Sequence, residues 1–135
     1  MSAVIPKELQ EFVNGKLGWV ATANPDGVPN VTPKGTIQVL DENTLIFADL
    51  FSQKTRENLM HNANVAVTLA DTEKVIGYQF KGTAELIDAG PLYERVKAQL
   101  EASPKALPAP AYVARITVEE IYDQTPGPNA GKKIA

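Results

Sequence analysis

Gly18-Trp19-Val20-Ala21-Thr22-Ala23-Asn24-Pro25-Asp26-Gly27-Val28-Pro29-Asn30-Val31-Thr32-Pro33-Lys34-Gly35 is the stretch on which the fold turns. Two extended segments rich in β-branched and aromatic residues flank Asn24-Pro25-Asp26-Gly27, a dense turn signal, so the stretch predicts a β-hairpin. The second segment runs on from Pro29 to Leu40. Pro33 removes a ladder donor within it and Gly35 removes side-chain bulk. The sheet at Pro33 to Gly35 is therefore expected at an edge or bulge facing something other than a neighbouring strand, with room for a flat ligand. A strand bend with an exposed Lys34 is the competing reading.

Working outward, Asp41-Glu42-Asn43 turns the chain into Thr44–Asp49, whose composition favours a strand, and the three extended segments are expected to form an antiparallel meander. Val65–Ala70 and Val75–Ile87 read as further strands joined by Asp71-Thr72-Glu73. Gly77 and Gly82 mark places where the longer one can bulge. Tyr112–Val118 reads as a last strand that Glu119 to Tyr122 can extend. Helices are predicted at Pro6 to Asn14, where Leu9, Phe12 and Val13 share a face, at Thr55–Met60, and at Pro91 to about Ser103, with Leu92, Val96 and Leu100 at helical spacing. The proline-rich loop Pro104 to Pro110 ends the third. About six strands with short helices describe a mainly β, small antiparallel barrel spanning residues 1–135 as one domain.

Composition narrows the chemistry. The 135 residues include no cysteine and one histidine, His61, which excludes a disulfide scaffold, a thiol nucleophile and a two-histidine metal centre within one chain. Lys and Arg number 13 against 16 Asp and Glu, a net charge of -3 that gives no overall reason to bind nucleic acid. No run approaches the ~20 apolar residues of a membrane span, and the first residues lack a signal-peptide pattern, so a soluble, unprocessed, cytoplasmic protein with a small-molecule partner is expected. A chain of this size also gains from an oligomeric interface.

The most informative polar segment is Ser52-Gln53-Lys54-Thr55-Arg56-Glu57-Asn58, because hydroxyls and two cations fall at a strand-to-helix junction. A helix N-terminus offers unpaired N–H groups and partial positive charge, which suit a phosphate. Lys54 would add a point charge, Arg56 a fork, and Ser52 or Thr55 a hydroxyl. Alternatively Ser52 only caps the helix and the cations are solvated. Gly127-Pro128-Asn129-Ala130-Gly131-Lys132-Lys133 lacks the spacing, hydroxyl and helix of a phosphate loop. His61 reads as a helix-terminal surface group. Glu119 and Glu120, as strand neighbours, are expected on opposite faces. Trp19, Phe47, Tyr78, Phe80 and Tyr112 read as core or interface packing, and residues 125–135 read by composition as a flexible end.

The order of these pieces resembles the pyridoxamine-phosphate-oxidase-like flavoproteins: Trp19-Val20-Ala21-Thr22, Asp26-Gly27-Val28-Pro29-Asn30, Thr32-Pro33-Lys34-Gly35, Leu45-Ile46-Phe47-Ala48, Lys54-Thr55-Arg56-Glu57-Asn58-Leu59, Asn64-Val65-Ala66-Val67 and Gly77-Tyr78-Gln79-Phe80-Lys81-Gly82-Thr83-Ala84. The resemblance implies a six-stranded antiparallel split β-barrel that binds FMN between the two subunits of a homodimer and acts on a small-molecule substrate or electron donor. Carried onto this chain, it implies that Thr32, Pro33, Lys34 and Gly35 line the flavin with Ala48 and Asp49 on the neighbouring strand. Ser52, Gln53, Lys54 and Thr55 would hold the phosphate, Asn58 would approach it or buttress the loop, and Gln79 would come from the partner. It also implies a tail, residues 125–135, folded over the flavin or the partner. True pyridoxamine-phosphate oxidases are longer and end in a basic segment, so oxidation of that vitamin is not expected here. Some relatives hold a deazaflavin or haem instead. A flavin would supply the redox chemistry that the side chains lack, and a flavin-binding electron carrier is the alternative to an enzyme.

Overall fold

A computed structural model of the chain describes residues 2–105 and 107–135. Met1, in the N-terminal reading, and Ala106, in the proline-rich loop, lie outside the described residues. The elements, in chain order, are α1 (Lys7–Val13), β1 (Gly18–Ala23), β2 (Pro29–Lys34), β3 (Gln38–Asp41), β4 (Thr44–Asp49), α2 (Lys54–His61), β5 (Asn64–Asp71), β6 (Ile76–Ile87), α3 (Pro91–Glu101) and β7 (Tyr112–Asp123).

The predicted hairpin forms. Gly18 to Ala23 pair antiparallel with Lys34 to Pro29, and the Asn24 carboxamide oxygen accepts from the N–H groups of Asp26 and Val28, which closes the turn. The run to Leu40, however, is two strands. After Lys34 the chain leaves the sheet, drives Ile37 into the core at 3% exposure, and resumes as β3. A side chain at Gly18 would meet the tip of Ile37, so the glycine leaves room for this inward step.

This break corrects two expectations: among the described residues the sheet has seven strands instead of six, and the first strands are not a meander. The order is β2-β1-β5-β6-β7-β4-β3, all neighbours antiparallel. Its two edge strands, β2 and β3, are consecutive in the chain, so the curled sheet leaves a seam between them. Helix α2 packs beside that seam on β1 and β2.

The interior of the curl is filled by Val20, Phe47, Val67, Phe80, Ile116 and Ile121, with Leu59 of α2 and Leu9 and Val13 of α1 closing it. A smaller cluster on the opposite face of β4 joins Ile46 and Ala48 to Val113 and to Val96 and Leu100 of α3. Every residue of β4 is consequently buried, and the strand that leads into the site is held from both sides.

Two further readings change. Between β6 and β7 the register shifts, Lys81 facing Glu120 and Gly82 facing Val118, which leaves Glu119 as an extra residue. A Cβ at Gly82 would overlap the Thr117 carbonyl, so the β-bulge depends on glycine. Both Glu119 and Glu120 then turn outward and border one concavity, because the bulge breaks the alternation that would have separated them. The tail is not a free end: it folds back along the last turns of β7. Asp123 exchanges backbone bonds with Gly131 and Lys132, and Ile121 with Ile134 and Ala135. The pairing of β4 with β7 stops at Thr117, and the tail supplies partners for the β7 groups left open beyond it.

Candidate functional site

The seam places polar groups where a closed barrel would have a ladder. Along β2 exposure alternates, with Val31 and Pro33 outward and Asn30, Thr32 and Lys34 turned toward α2 and β4. Lys34 Nζ lies 3.0 Å from Asp49 Oδ1 and 3.3 Å from Ser52 Oγ. Asp49, at the end of β4, has a side chain with no solvent exposure. It also accepts from the Ser52 N–H at 3.0 Å, from the Ser52 hydroxyl, and from the Tyr112 hydroxyl at 2.5 Å. One carboxylate thus ties together β2, β4, β7 and the link into α2.

Burial pushes the Asp49 carboxyl up, but the hydrogen bonds from Ser52, Tyr112 and Lys34 outweigh it and hold the group below the usual carboxylate range. Burial, together with the hydrogen bond to the charged Asp49, pushes the Tyr112 phenol well above its ordinary value. Asp49 is therefore ionised and Tyr112 neutral at physiological pH. Lys34 is neither the exposed cation of the bend reading nor an uncompensated charge: Asp49 neutralises it.

On its β3 side β4 is paired only as far as Ile46, opposite Gln38, so the Ala48 backbone, which faces Val113 of β7 on the other side, has no strand neighbour there. Thr36 takes that place: its hydroxyl donates to the Ala48 carbonyl at 3.0 Å and accepts from the Ala48 N–H at 3.1 Å. One threonine side chain substitutes for a strand and keeps the cleft beside Ala48 open.

Helix α2 begins at Lys54, one residue earlier than its pattern predicts, and Gln53 is its cap residue without a side-chain capping bond. Ser52 is not the cap, since its hydroxyl and N–H are committed to Asp49. Thr55 and Asn58 face inward. Asn30 donates to the Thr55 hydroxyl at 3.2 Å, and Asn58 donates to the buried Thr22 hydroxyl at 3.0 Å. Both residues fasten the helix to the hairpin. Lys54 is exposed and lies 3.4 Å from Glu57. Gln79 is elsewhere, on β6 opposite Thr68 and Tyr122.

Two clefts flank the segment Leu50-Phe51-Ser52. One, of about 530 Å³, is bordered by Thr32 to Thr36 on one side and by Ala48 and Leu50 to Ser52 on the other. At Gly35 nothing lies within 4 Å of where a Cβ would stand, so a flat ligand can approach the backbone. The other, of about 680 Å³, opens on the α2 side toward Arg56, Met60 and His61. His61 is exposed in the last turn of α2, as its position suggests.

The structure therefore brings together Thr32, Pro33, Lys34, Gly35, Ala48, Asp49 and Ser52. Gln53 and Lys54 sit at the adjoining helix start, and Thr55 and Asn58 lie behind it. Sequence reading missed Thr36, which carries no local signal of its backbone role, and the Tyr112 hydroxyl, which joins the site only because β7 lies beside β4. Trp19, read as core or interface packing, is 39% exposed next to Pro33 and so is not a core residue of this chain. No helix among the described residues is long and apolar enough to cross a membrane.

Comparison with known proteins agrees with this fold. The sequence profile of the pyridoxamine 5'-phosphate oxidase family matches residues 5–125. An uncharacterized protein of Methanocaldococcus jannaschii, MJ0282, is 38% identical over 97% of this chain and 88% of its own length. Among solved structures, HupZ of Group A Streptococcus superposes with a TM-score of 0.82 at 33% identity, covering 94% of this chain and 99% of that one. A protein from Lactobacillus delbrueckii described as a putative pyridoxamine 5'-phosphate oxidase gives a TM-score of 0.74 at 25% identity, over 88% and 93% of the two chains.

Proposed function

This chain belongs to the pyridoxamine 5'-phosphate oxidase family, and from that premise we propose that it is an FMN-binding flavoprotein, an oxidoreductase working on a small molecule as a cytoplasmic homodimer. The observation that carries the reading is the 530 Å³ cleft on the seam, whose volume suits a cofactor and whose floor at Gly35 is open backbone. Thr32 to Gly35 would flank the ring, with Ala48 and the Lys34–Asp49 pair at its edge. Gln53, Lys54 and the free N–H groups at the start of α2 would take the phosphate, while Thr55 and Asn58 hold the helix in place. The Ser52 hydroxyl would serve the loop by fixing it to Asp49. The flavin would supply hydride or electron transfer, and the chain would bind, orient and tune it.

The position of Gln79 supports the dimer. Pro33, Trp19, Thr68 and Gln79 lie in one row across four adjacent strands, three strand spacings or about 14 Å from β2 to β6. Gln79 is thus remote from its own cleft, and a contact with flavin would come from a second copy. Because Asp49 balances Lys34, the pair leaves the ring's surroundings near neutral. Lys34→Gln would leave Asp49 uncompensated and lower the flavin midpoint potential, whereas an unchanged potential with FMN still bound would remove Lys34 from the electronic role.

The test is the visible spectrum and mass of the small molecule that copurifies, followed by quenching of added FMN fluorescence. A colourless protein that does not quench FMN ends the flavin reading, and the mass separates FMN from a deazaflavin or haem. Lys54→Ala should weaken FMN far more than riboflavin; equal loss would place the phosphate elsewhere. Anaerobic reduction by NADH or NADPH would favour the oxidoreductase over the electron carrier.

A further inference from the structure

The second cleft, on the α2 flank of Leu50-Phe51-Ser52, has a different chemistry from the first. Phe51 is 78% exposed and Met60 63% exposed, large apolar side chains facing solvent in the walls of one concavity of about 680 Å³. Ala111 and Leu50 extend the apolar surface. Exposed apolar groups gathered in a concave site mark binding more often than scattered ones do.

The cleft also holds Arg56, which makes no ion pair and no side-chain hydrogen bond among the described residues. The Lys and Arg side chains that do form ion pairs there are Lys34, Lys54 and Arg115. Glu57, the acid bordering the cleft, is turned to Lys54. The Arg56 guanidinium carbon lies 6.0 Å from the centroid of the Tyr112 ring, whose hydroxyl is fixed by Asp49. Contact with an aromatic face orients a guanidinium and leaves its in-plane N–H groups for a planar acceptor. Gln53 and His61 add polar groups to the same walls. A cleft whose cation has no ion-pair partner among the described residues can offer that charge to an anion.

We propose that this cleft is a second ligand site, for a small organic anion: a carboxylate, sulfonate or phosphate held by Arg56, with a flat apolar body between Phe51 and Met60. The site shares the wall Leu50 to Ser52 with the flavin cleft and adjoins Gln53, which the phosphate reading also uses, so it is tested at Arg56 and Phe51 on protein with and without flavin.

The probes are 1-anilinonaphthalene-8-sulfonate, an aromatic anion, and N-phenyl-1-naphthylamine, its uncharged counterpart. The sulfonate should bind saturably. Arg56→Gln should weaken it about tenfold or more, the effect of a charge-assisted hydrogen bond, while the amine changes less than about twofold. Lys7→Gln, an equal charge loss at an exposed position on α1, should change neither, and Phe51→Ser should weaken both. An unchanged sulfonate affinity in Arg56→Gln, or equal loss of both probes, overturns the proposal. Loss of FMN relative to riboflavin in Arg56→Gln, with the sulfonate unaffected, would overturn it by assigning Arg56 to the flavin phosphate. Conversion of a dimer to a monomer by Phe51→Ser would overturn it by showing that a second copy covers the cleft.

Discussion

Asp49 and Arg56 lie seven positions apart and close to the same tyrosine, yet the polar groups around them have opposite fates. Around Asp49 the donors converge: Lys34, Ser52 and Tyr112 meet on one carboxylate with no exposure, and the charges cancel. Around Arg56 the guanidinium is solvent-facing and without an acidic partner. Burial explains the difference. An unpaired charge inside the seam would carry a large desolvation cost, so selection for a stable fold pairs it there, whereas an exposed cation can stay free for a ligand at little cost.

The largest effect that separates the two regions is expected from Asp49→Ala. It strands Lys34 at 11% exposure and removes the acceptor of Ser52 and Tyr112, so urea denaturation should show a loss of about 3–5 kcal/mol. Arg56→Ala should cost less than about 1 kcal/mol. A similar cost for both substitutions would break the contrast. Next in size is Asn58→Ala, which leaves the buried Thr22 hydroxyl without its donor and loosens α2 from β1. About 1–3 kcal/mol is expected, read from the urea midpoint. Tyr112→Phe removes one hydrogen bond to a charged acceptor while keeping the ring under Arg56. Its stability loss should be about 1.5–3 kcal/mol at most, and a larger loss would mean that the hydroxyl organises more than Asp49.

The pH dependence sharpens the same point. The folded pKa of Asp49 lies below its unfolded value, so the unfolded chain binds the proton more readily. The stabilisation by this group is fully present above the unfolded value near 4 and is lost as pH falls through the lower, folded value. Asp49→Asn should flatten stability against pH in that acidic window. Tyr112 has the opposite sign. Its raised pKa favours the neutral phenol in the fold, so its contribution is complete below the unfolded value near 10 and declines as pH rises beyond it. Spectrophotometric titration should show one phenol that ionises only on unfolding, and Tyr112→Phe should remove it. The smallest effect belongs to the exposed Lys54–Glu57 pair, where Lys54→Ala should leave stability within roughly 0.5 kcal/mol.

Much of the fold was legible because its signals are local. The Asn-Pro-Asp-Gly turn between two extended runs, and the helical spacing of Leu92, Val96 and Leu100, each specify an element within a few residues. The break after Lys34 was half legible. Pro33 and Gly35 signal an edge, but they do not show that the chain crosses to the opposite edge of the sheet, which depends on Ile37 finding the core. The bulge at Gly82 has the same character: the glycine is visible, while the extra residue lies on the partner strand at Glu119.

For the site, the sequence by itself determined that a proline, a lysine and a glycine interrupt an edge strand and that hydroxyls and cations gather where a helix begins. It also determined that no thiol or paired-histidine chemistry is available. Only the tertiary structure decided which of these groups are free. Lys34, Tyr112 and the pair Asp49 and Ser52 come from three separate segments, and their mutual satisfaction depends on β7 lying beside β4 and β2 facing the seam. Residue type and spacing report what a side chain can donate. What it does donate depends on the partners that long-range packing brings within about 3 Å, and this is why the short stretch from Asp49 to Arg56 holds both a saturated hub and an open cation.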